Sequence, residues 1–368
     1  MVRAVLSARV LRFTSLAMVA ALVTAGCSQK RKARGAATPA ESVSASPSGT
    51  LPPACPLTNQ PSPQGSVPSR PALAVKVAND PLARPQIGLD AADVVYEEPV
   101  EGGITRFIVI YQCRDATRVE PVRSTRFVDI DVLAQFGRPI FGHAGGIDPV
   151  MSALKSANLI DANYSGTPFQ GDYHRDSSRP APDNLYTSTP EIYTTAGNAG
   201  GPPGPVFTYL PARAGGAGGA GAPPPTSTVT ATVAPGSSLH VPFSGPDYDV
   251  VWQWNAAGGA YLRNYGSTPA RLASGAQIST QNVVVEQVSV MPSQYVEDAG
   301  GGRQNLVGTI GTGPAIVCRL GGCVRGTWTR ATRADITRYN DPAGNQIPLA
   351  PGTTWVELEP NSQKPATS

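Results

Sequence analysis

The pattern of apolar and polar positions separates segments able to build a core from segments that cannot. Phe13 to Ala25 is apolar apart from Thr14, Ser15 and Thr24, and it follows Arg3, Arg9 and Arg12. Spanning a bilayer takes about 20 apolar residues, so this stretch suits a signal-peptide core better than a membrane helix. Residues 28 to about 68 are rich in Ala, Ser, Pro and Gly. Such a stretch buries too little apolar surface to offset its ordering entropy and reads as a disordered linker, 27–68. A second Gly/Pro-rich run, 197–226, reads as an insertion, with Val206 to Leu210 as an apolar island inside it that suits an edge strand.

Two blocks remain, 69–196 and 227–360, each large enough for a core of its own, followed by a tail, 361–368. In the first block, Ala72–Val77, Thr105–Gln112 and Pro139–His143 are apolar and β-branched, the pattern of buried strands. Asp148-Pro149 starts a helix with an oxygen cap and Pro at the first helical position, and Thr189-Pro190-Glu191 starts a second short helix. Met151 and Leu154 are placed to face the core, and Gly197 ends the later helix. Phe127–Phe136 is a third helix candidate, with Phe127, Ile130, Leu133 and Ala134 on one face. The second block reads as mostly β. Its strands are Thr228–Val233, a hairpin of Val250–Trp254 and Ala260–Arg263 turning through Gly258-Gly259, then Val283–Val290, Gly326–Arg330 and Thr353–Leu358.

The N-terminus adds a destination. Thr24-Ala25-Gly26-Cys27 has the small residues that precede a lipidated cysteine, with Thr24 where Leu or Val is usual. Cleavage before Cys27 removes 1–26 and leaves a protein tethered to the outer face of the cell membrane by a lipid, palmitate among its acyl chains. Loss of Arg3, Arg9 and Arg12 leaves 26 basic against 26 acidic residues, so the basic balance belongs to the signal and is no argument for nucleic acid. Lys30, Arg31, Lys32 and Arg34 stay beside the anchor, where each could add about 1 kcal/mol of attraction to anionic lipid. Outside the cytoplasm the other four cysteines are expected to pair. The turn Arg319-Leu320-Gly321-Gly322 favours Cys318 with Cys323, which leaves Cys55 with Cys113.

Several familiar signatures lack their context. Ser152-Ala153-Leu154-Lys155 matches the S-x-x-K of penicillin-binding enzymes, but no S-D-N or K-T-G follows. With His143, His174 and His240 as the full set of histidines, no metal site and no cofactor are expected. Trp252, Trp254 and Trp328 read as core or hairpin positions rather than sugar-stacking platforms.

Residues 84–188 are dense in Arg, Glu, Asp, Asn and Gly between apolar strands. Arg84-Pro85-Gln86 and Glu97-Glu98 open the region. Then come Glu101-Gly102-Gly103-Ile104-Thr105-Arg106-Phe107, Pro121-Val122-Arg123-Ser124-Thr125-Arg126, His143-Ala144-Gly145-Gly146, and Arg175 to Arg179 leading to Asn184-Leu185-Tyr186-Thr187-Ser188. The last four segments resemble the shared runs of the YerB-like family of bacterial lipoproteins. Gly326-Thr327-Trp328 and Pro351-Gly352-Thr353-Thr354-Trp355 resemble that family's C-terminal domain. Asp183 stands where a His is expected before the Asn-Leu-Tyr run. The resemblance covers nearly everything after the linker. It implies an α+β fold, with layered sheets plus helices in the N-terminal domain followed by a smaller mostly-β domain, and it implies no established activity.

The chemistry of these segments suggests a polar cleft in the first domain. Its ligand-binding candidates are Glu101, Arg106, Arg123, Arg126, His143, Arg175, Arg179 and Asn184. Arginine forks suit carboxylate or phosphate, and a strand-end His can exchange protons near neutral pH. The leading expectation is binding of cell-wall glycan or peptide, or of an envelope partner. A wall hydrolase or transferase using Glu101 and His143 as acid and base is the enzymatic alternative. A third reading is an envelope assembly or structural factor in which the charges only hold the two domains together.

Overall fold

The computed structural model describes residues 52–211, 237–297 and 300–368. Cys27, the signal segment and the expected strand Thr228–Val233 lie outside the described residues. The first half of the chain forms β1 (Leu73–Ala78), β2 (Val94–Pro99), β3 (Thr105–Tyr111), α1 (Phe127–Leu133), β4 (Ile140–His143), α2 (Asp148–Lys155), β5 (Ile160–Asn163), β6 (Tyr173–Arg175), β7 (Leu185–Thr187) and α3 (Thr189–Ala196). The second half begins with β8 (Ser238–Pro242), β9 (Asp249–Asn255), β10 (Ala260–Tyr265), β11 (Thr268–Pro269), β12 (Ser279–Thr280), β13 (Asn282–Val288) and β14 (Val290–Val296). It continues with β15 (Arg303–Val307), β16 (Gly311–Arg319), β17 (Gly322–Arg330), β18 (Arg338–Asn340), β19 (Thr354–Pro360) and β20 (Ala366–Thr367). The class is α+β, with a C-terminal part that is almost wholly strand.

Both halves build the same central sheet, in the order β18-β17-β16-β13-β19-β2-β3-β1-β4-β5. The seam between them is the parallel pair β19 and β2, with Trp355 opposite Val95 and Glu357 opposite Glu97. The two sequence blocks therefore share one sheet instead of closing separate cores. A strand alternates its side chains between two faces, so each central strand feeds two apolar layers. Val75, Val95, Phe107, Val283 and Trp355 pack against Leu239, Trp252 and Tyr261 of the second sheet, β11-β10-β9-β8-β20. Ala74, Tyr96, Ile108, Val284 and Leu358 point the other way, onto Val128, Val132 and Leu133 of α1 and Leu154 of α2.

Both α2 and α3 start where their prolines place them, but Asp148 is the first helical residue and not a cap: Ile147 holds the N-cap position of α2 with no side-chain hydrogen bond. Ser188 Oγ accepts the Glu191 N–H, and Gly197 caps α3 at φ 58°. Elsewhere tertiary packing overrides local reading. Val128, Asp129 and Val132 of α1 are buried while Phe127 and Ala134 are only half-buried, so α1 is embedded rather than laid on one apolar face. Met151 is half-buried, and Val150 takes the core position beside Leu154. The strand expected over Val283–Val290 ends at Val288. The chain then leaves the sheet as the separate ribbon β14–β15.

The expectation of disorder is corrected for the end of the linker, and the insertion and the tail also contribute to the folded body. Residues 52–68 belong to the folded body: Leu57 is fully buried, Cys55 is bonded to Cys113, and Thr58 O accepts the Gly352 N–H. In the expected insertion, Val206, Phe207 and Leu210 are buried, and Tyr209 bridges to Leu349. The tail supplies β20, which pairs with β8. Short apolar anchors in polar surroundings, one of them stapled by a disulfide, suffice to hold these segments. Cys318 and Cys323 are bonded across the β16–β17 turn, as the turn residues suggested.

The cost of making one sheet from two blocks is buried charge. Glu286 on β13 is sealed under α1's side of the sheet and accepts a hydrogen bond from the Tyr339 hydroxyl at 2.6 Å. Burial pushes its carboxyl up to about 7, against the opposing pull of Tyr339 and Arg330. A carboxyl raised in the folded state binds a proton that the unfolded chain has lost. Its stabilising contribution is complete below the unfolded value of 4.5 and disappears as pH rises through about 7. Glu286→Gln is expected to flatten the pH dependence of unfolding, gaining about 2 kcal/mol at pH 8 relative to pH 5. Urea titrations at both pH values, compared with the unsubstituted protein, measure it. Equal slopes would show that Glu286 stays ionised.

Candidate functional site

Direction within the central sheet gathers the motif-bearing segments. Strand pairing makes β1, β2, β4, β5, β13, β17 and β19 run one way and β3, β16 and β18 the other. At the carboxyl ends of the co-directional strands lie Glu101-Gly102-Gly103 after β2 and His143 to Gly146 after β4. The segment Pro121 to Arg126 crosses over them: Val122 bridges to Val77, Arg123 N–H donates to Lys76 O, and Thr125 N–H donates to Gly145 O. In open sheets with parallel strands, ligand sites form at this edge because loops diverge there. The chain enters the folded body at the opposite edge, where Cys55 is bonded to Cys113 beyond the end of β3.

A cavity of about 370 Å³ opens at the ends of β2, β19 and β13. It is bounded by Pro99, Glu101, Ser244, Arg303, Asn305 and Ser362. The ribbon β14–β15 contributes Arg303 and Asn305, and Asn305 Nδ2 donates to Pro99 O at 3.4 Å.

Three predicted residues pack together on one side of this cavity. Glu101 accepts a forked pair of hydrogen bonds from Arg126 Nε, at 2.9 Å, and Nη2, with Arg106 Nη2 3.7 Å away. Burial pushes the Glu101 carboxyl up, but the Arg126 hydrogen bonds and charge, with Arg106, outweigh it and hold it below the usual range. Arg126 is 2% exposed, and its Nη1 also meets Glu297 of the ribbon at 2.9 Å. Arg106 donates from Nη1 to Ser124 O while its buried Nε has no partner. Burial, then the neighbouring Arg126 charge, pulls its guanidinium down to about 10.

Arg123 and Arg179 extend the cluster outward. Arg123 Nη2 meets Asp183 at 3.1 Å and Asp80 at 3.6 Å, and its buried Nε has no partner. Asp183, at the position where the resemblance called for His, is thus an arginine partner, and burial raises its carboxyl. Arg179 donates to Ala83 O and Pro85 O.

The remaining candidates separate. His143 is fully buried, with Nε2 2.8 Å from Asp161 and Nδ1 3.2 Å from Gly145 O. Both ring nitrogens face acceptors, so the ring presents no free lone pair to a ligand. Arg175 and Asn184 hydrogen-bond each other on the exposed β6–β7 hairpin. Glu101, locked between arginines, and His143, locked by Asp161, do not form the acid–base pair considered from sequence. All four tryptophans lie inside or against the core, and Trp254 rests on Tyr261 and Gly321.

Glu97 and Glu98, noted from sequence but not among the binding candidates, are fully buried. Glu97 and Glu98 are neighbours on β2 and therefore face opposite layers. Glu97 meets Arg263 of β10, which also holds Glu357. Glu98 meets Lys76 of β1, which also holds Asp129 of α1 at 2.7 Å. The available signal was an acid pair inside an apolar strand, since a buried charge requires a partner. Among the described residues, no group of His, Cys, Asp and Glu is arranged to hold a metal ion, and no helix is long and apolar enough to cross a membrane.

The fold and its edge define a two-part α+β protein with a charged cleft. Two family models match it, each described as protein of unknown function (DUF3048): the N-terminal domain over residues 57–201 and the C-terminal domain over 239–356. The chain belongs to this YerB-like family. It is 29% identical over 310 residues to YerB of Bacillus subtilis (strain 168), which is named as a lipoprotein, covering 83% of this chain and 86% of that protein. The crystal structure of YerB from Bacillus subtilis superposes with a TM-score of 0.68 at 23% identity, covering 86% of this chain and 99% of the other, a likeness of fold.

Proposed function

We propose that this protein is an envelope lipoprotein, anchored through Cys27 on the outer face of the membrane, that binds peptidoglycan-type wall material at the carboxyl edge of its central sheet. The observation that carries the reading is the placement of the cavity and the Arg106–Arg123–Arg126 cluster at the edge opposite the one where the chain enters. Arg303 in the cavity's lining and the arginine cluster beside it suit the carboxylates of wall peptides, and the burial of the tryptophans favours charge over ring stacking as the means of recognition. The locked states of Glu101 and His143 favour binding over hydrolysis.

The test uses two variants of the full-length chain. Cys27→Ala is expected to move the protein from the membrane to the soluble fraction. The released protein should sediment with purified cell-wall sacculi and liberate no soluble fragments. Arg123→Ala in that background should weaken sedimentation by about tenfold at a temperature where the variant is still folded, its melting temperature being measured alongside because the change also strips buried Asp183 of its cation. Retention on membranes despite Cys27→Ala would refute the anchor, and failure to sediment would refute the ligand.

A further inference from the structure

The ribbon β14–β15 is joined to neither large sheet. It carries exposed Met291, Val296 and Leu306, while Val307 at its end is buried in the core and buried Gln304 faces the start of α1. Phe127 N–H donates to Gln304 Oε1, Gln304 Nε2 donates to Glu297 Oε2 at 2.6 Å, and the rings of Phe127 and Tyr295 lie 5.7 Å apart. Among the described residues, the one ion pair joining the ribbon to the charged cluster is Glu297 with Arg126 Nη1.

Arg126 holds two carboxylates of different standing. Glu101 comes from the sheet edge and takes the guanidinium's Nε and Nη2 in the forked geometry that arginine and carboxylate share. Glu297 comes from a separate ribbon and meets Nη1, which also donates to Thr125 O at 2.9 Å. It sits within electrostatic reach of Glu101, and burial raises its carboxyl above the usual range in spite of Arg126. Arg106, nine-tenths buried with an unpartnered Nε, adds a cation beside the same place. The cavity lies at the ribbon's foot, between Arg303 and Glu101.

We propose that Arg126, with Arg106 beside it, forms a carboxylate-binding subsite in which Glu297 is a built-in occupant, and that a ligand's carboxylate exchanges with Glu297 and releases the ribbon. This rests on the proposed wall-binding role and narrows its ligand to an acid. The exchange is chemically conservative, because one carboxylate replaces another on Nη1 and Glu101 keeps its fork. The ligand gains the neighbouring Arg106 donor, and Glu297 returns to solvent.

The experiment measures binding of N-acetyl-D-alanyl-D-alanine, its C-terminal amide and N-acetylmuramic acid to the full-length Cys27→Ala chain and to its Glu297→Gln derivative. Hydrogen exchange across residues 290–307 is followed in parallel. Glu297→Gln is expected to bind at least one of the two acids tenfold or more tightly than its parent, and to leave the amide no better bound. Ribbon exchange should rise both in the variant and in the parent saturated with the acid. Preference for the peptide acid or for the sugar acid identifies the source of the carboxylate. Equal binding of acid and amide, unchanged affinity in Glu297→Gln, or binding of neither acid would overturn the subsite. Faster ribbon exchange without tighter binding would reduce Glu297 to a staple, which also overturns it. Sedimentation with sacculi is scored separately, so retention of the wall by a protein that ignores these acids would sink the subsite and spare the broader role.

Discussion

Arg263→Met is expected to remove about 3–5 kcal/mol of folding stability, the range for breaking a buried ion pair from one side. Arg263 is fully buried on β10 and spans the gap between the sheets. Its Nη2 lies 2.6 Å from Glu97 and its Nη1 2.9 Å from Glu357. Those two glutamates are directly opposed in the parallel pair of β2 and β19. Trp252 Nε1 adds a hydrogen bond to Glu357 at 2.7 Å, and Trp355 and Trp252 stand 4.9 and 5.3 Å from the guanidinium. Met fills much of the space but leaves two carboxyls facing each other out of water.

Burial already raises the Glu357 carboxyl, and the neighbouring Glu97 raises it further against the pull of Arg263. Without Arg263 the folded state should hold a proton there, so the loss at pH 8 should exceed that at pH 5. The triple variant Arg263→Met, Glu97→Gln, Glu357→Gln should recover at least half of the loss. Denaturant titrations at the two pH values decide the matter. A loss below about 1 kcal/mol for the single variant would mean that water reaches the cluster.

Lys76→Met carries the second large effect, about 3 kcal/mol or more at neutral pH. Lys76 is fully buried on β1 between Glu98 and Asp129. Burial, with Asp129 nearby, pushes Glu98 up to about 8 despite Lys76. Asp129 also accepts the Arg126 N–H at 2.6 Å and the Thr125 hydroxyl at 2.9 Å, so it is the joint between α1 and the sheet. Lys76→Met with Asp129→Asn should be more stable than Lys76→Met alone, since Asn keeps an acceptor for those donors and removes the stranded charge. An additive loss in the double variant would show that Lys76 contributes through packing alone.

The two clusters share an origin in β2. Two consecutive acids in a strand buried on both faces must each find a cation on a different layer. One comes from β10, nearly 170 residues away, and the other from β1. These contacts give the joined sheet its register across the seam, because slipping β19 by one residue would turn Glu357 away from Arg263.

The local elements were legible because their physics is local. The apolar runs at Ala72–Val77 and Thr105–Gln112 demand burial on both sides, and Pro at the first turn starts α2 and α3 whatever surrounds them. The even count of cysteines and the Gly321-Gly322 turn were enough to pair them. The motif-bearing segments were also legible as a group, and Glu101, Arg106, Arg123 and Arg126 do collect at one edge. The sequence by itself thus determined the element types, the disulfide pairs and which stretch holds the charged cleft. Only the tertiary structure decided that the two blocks close one sheet, that His143 and Glu101 are locked, and that Glu297 from a distant ribbon occupies Arg126. Those outcomes depend on which charges meet across long loops, where the closure entropy varies slowly with length and leaves the choice of partner to packing and desolvation.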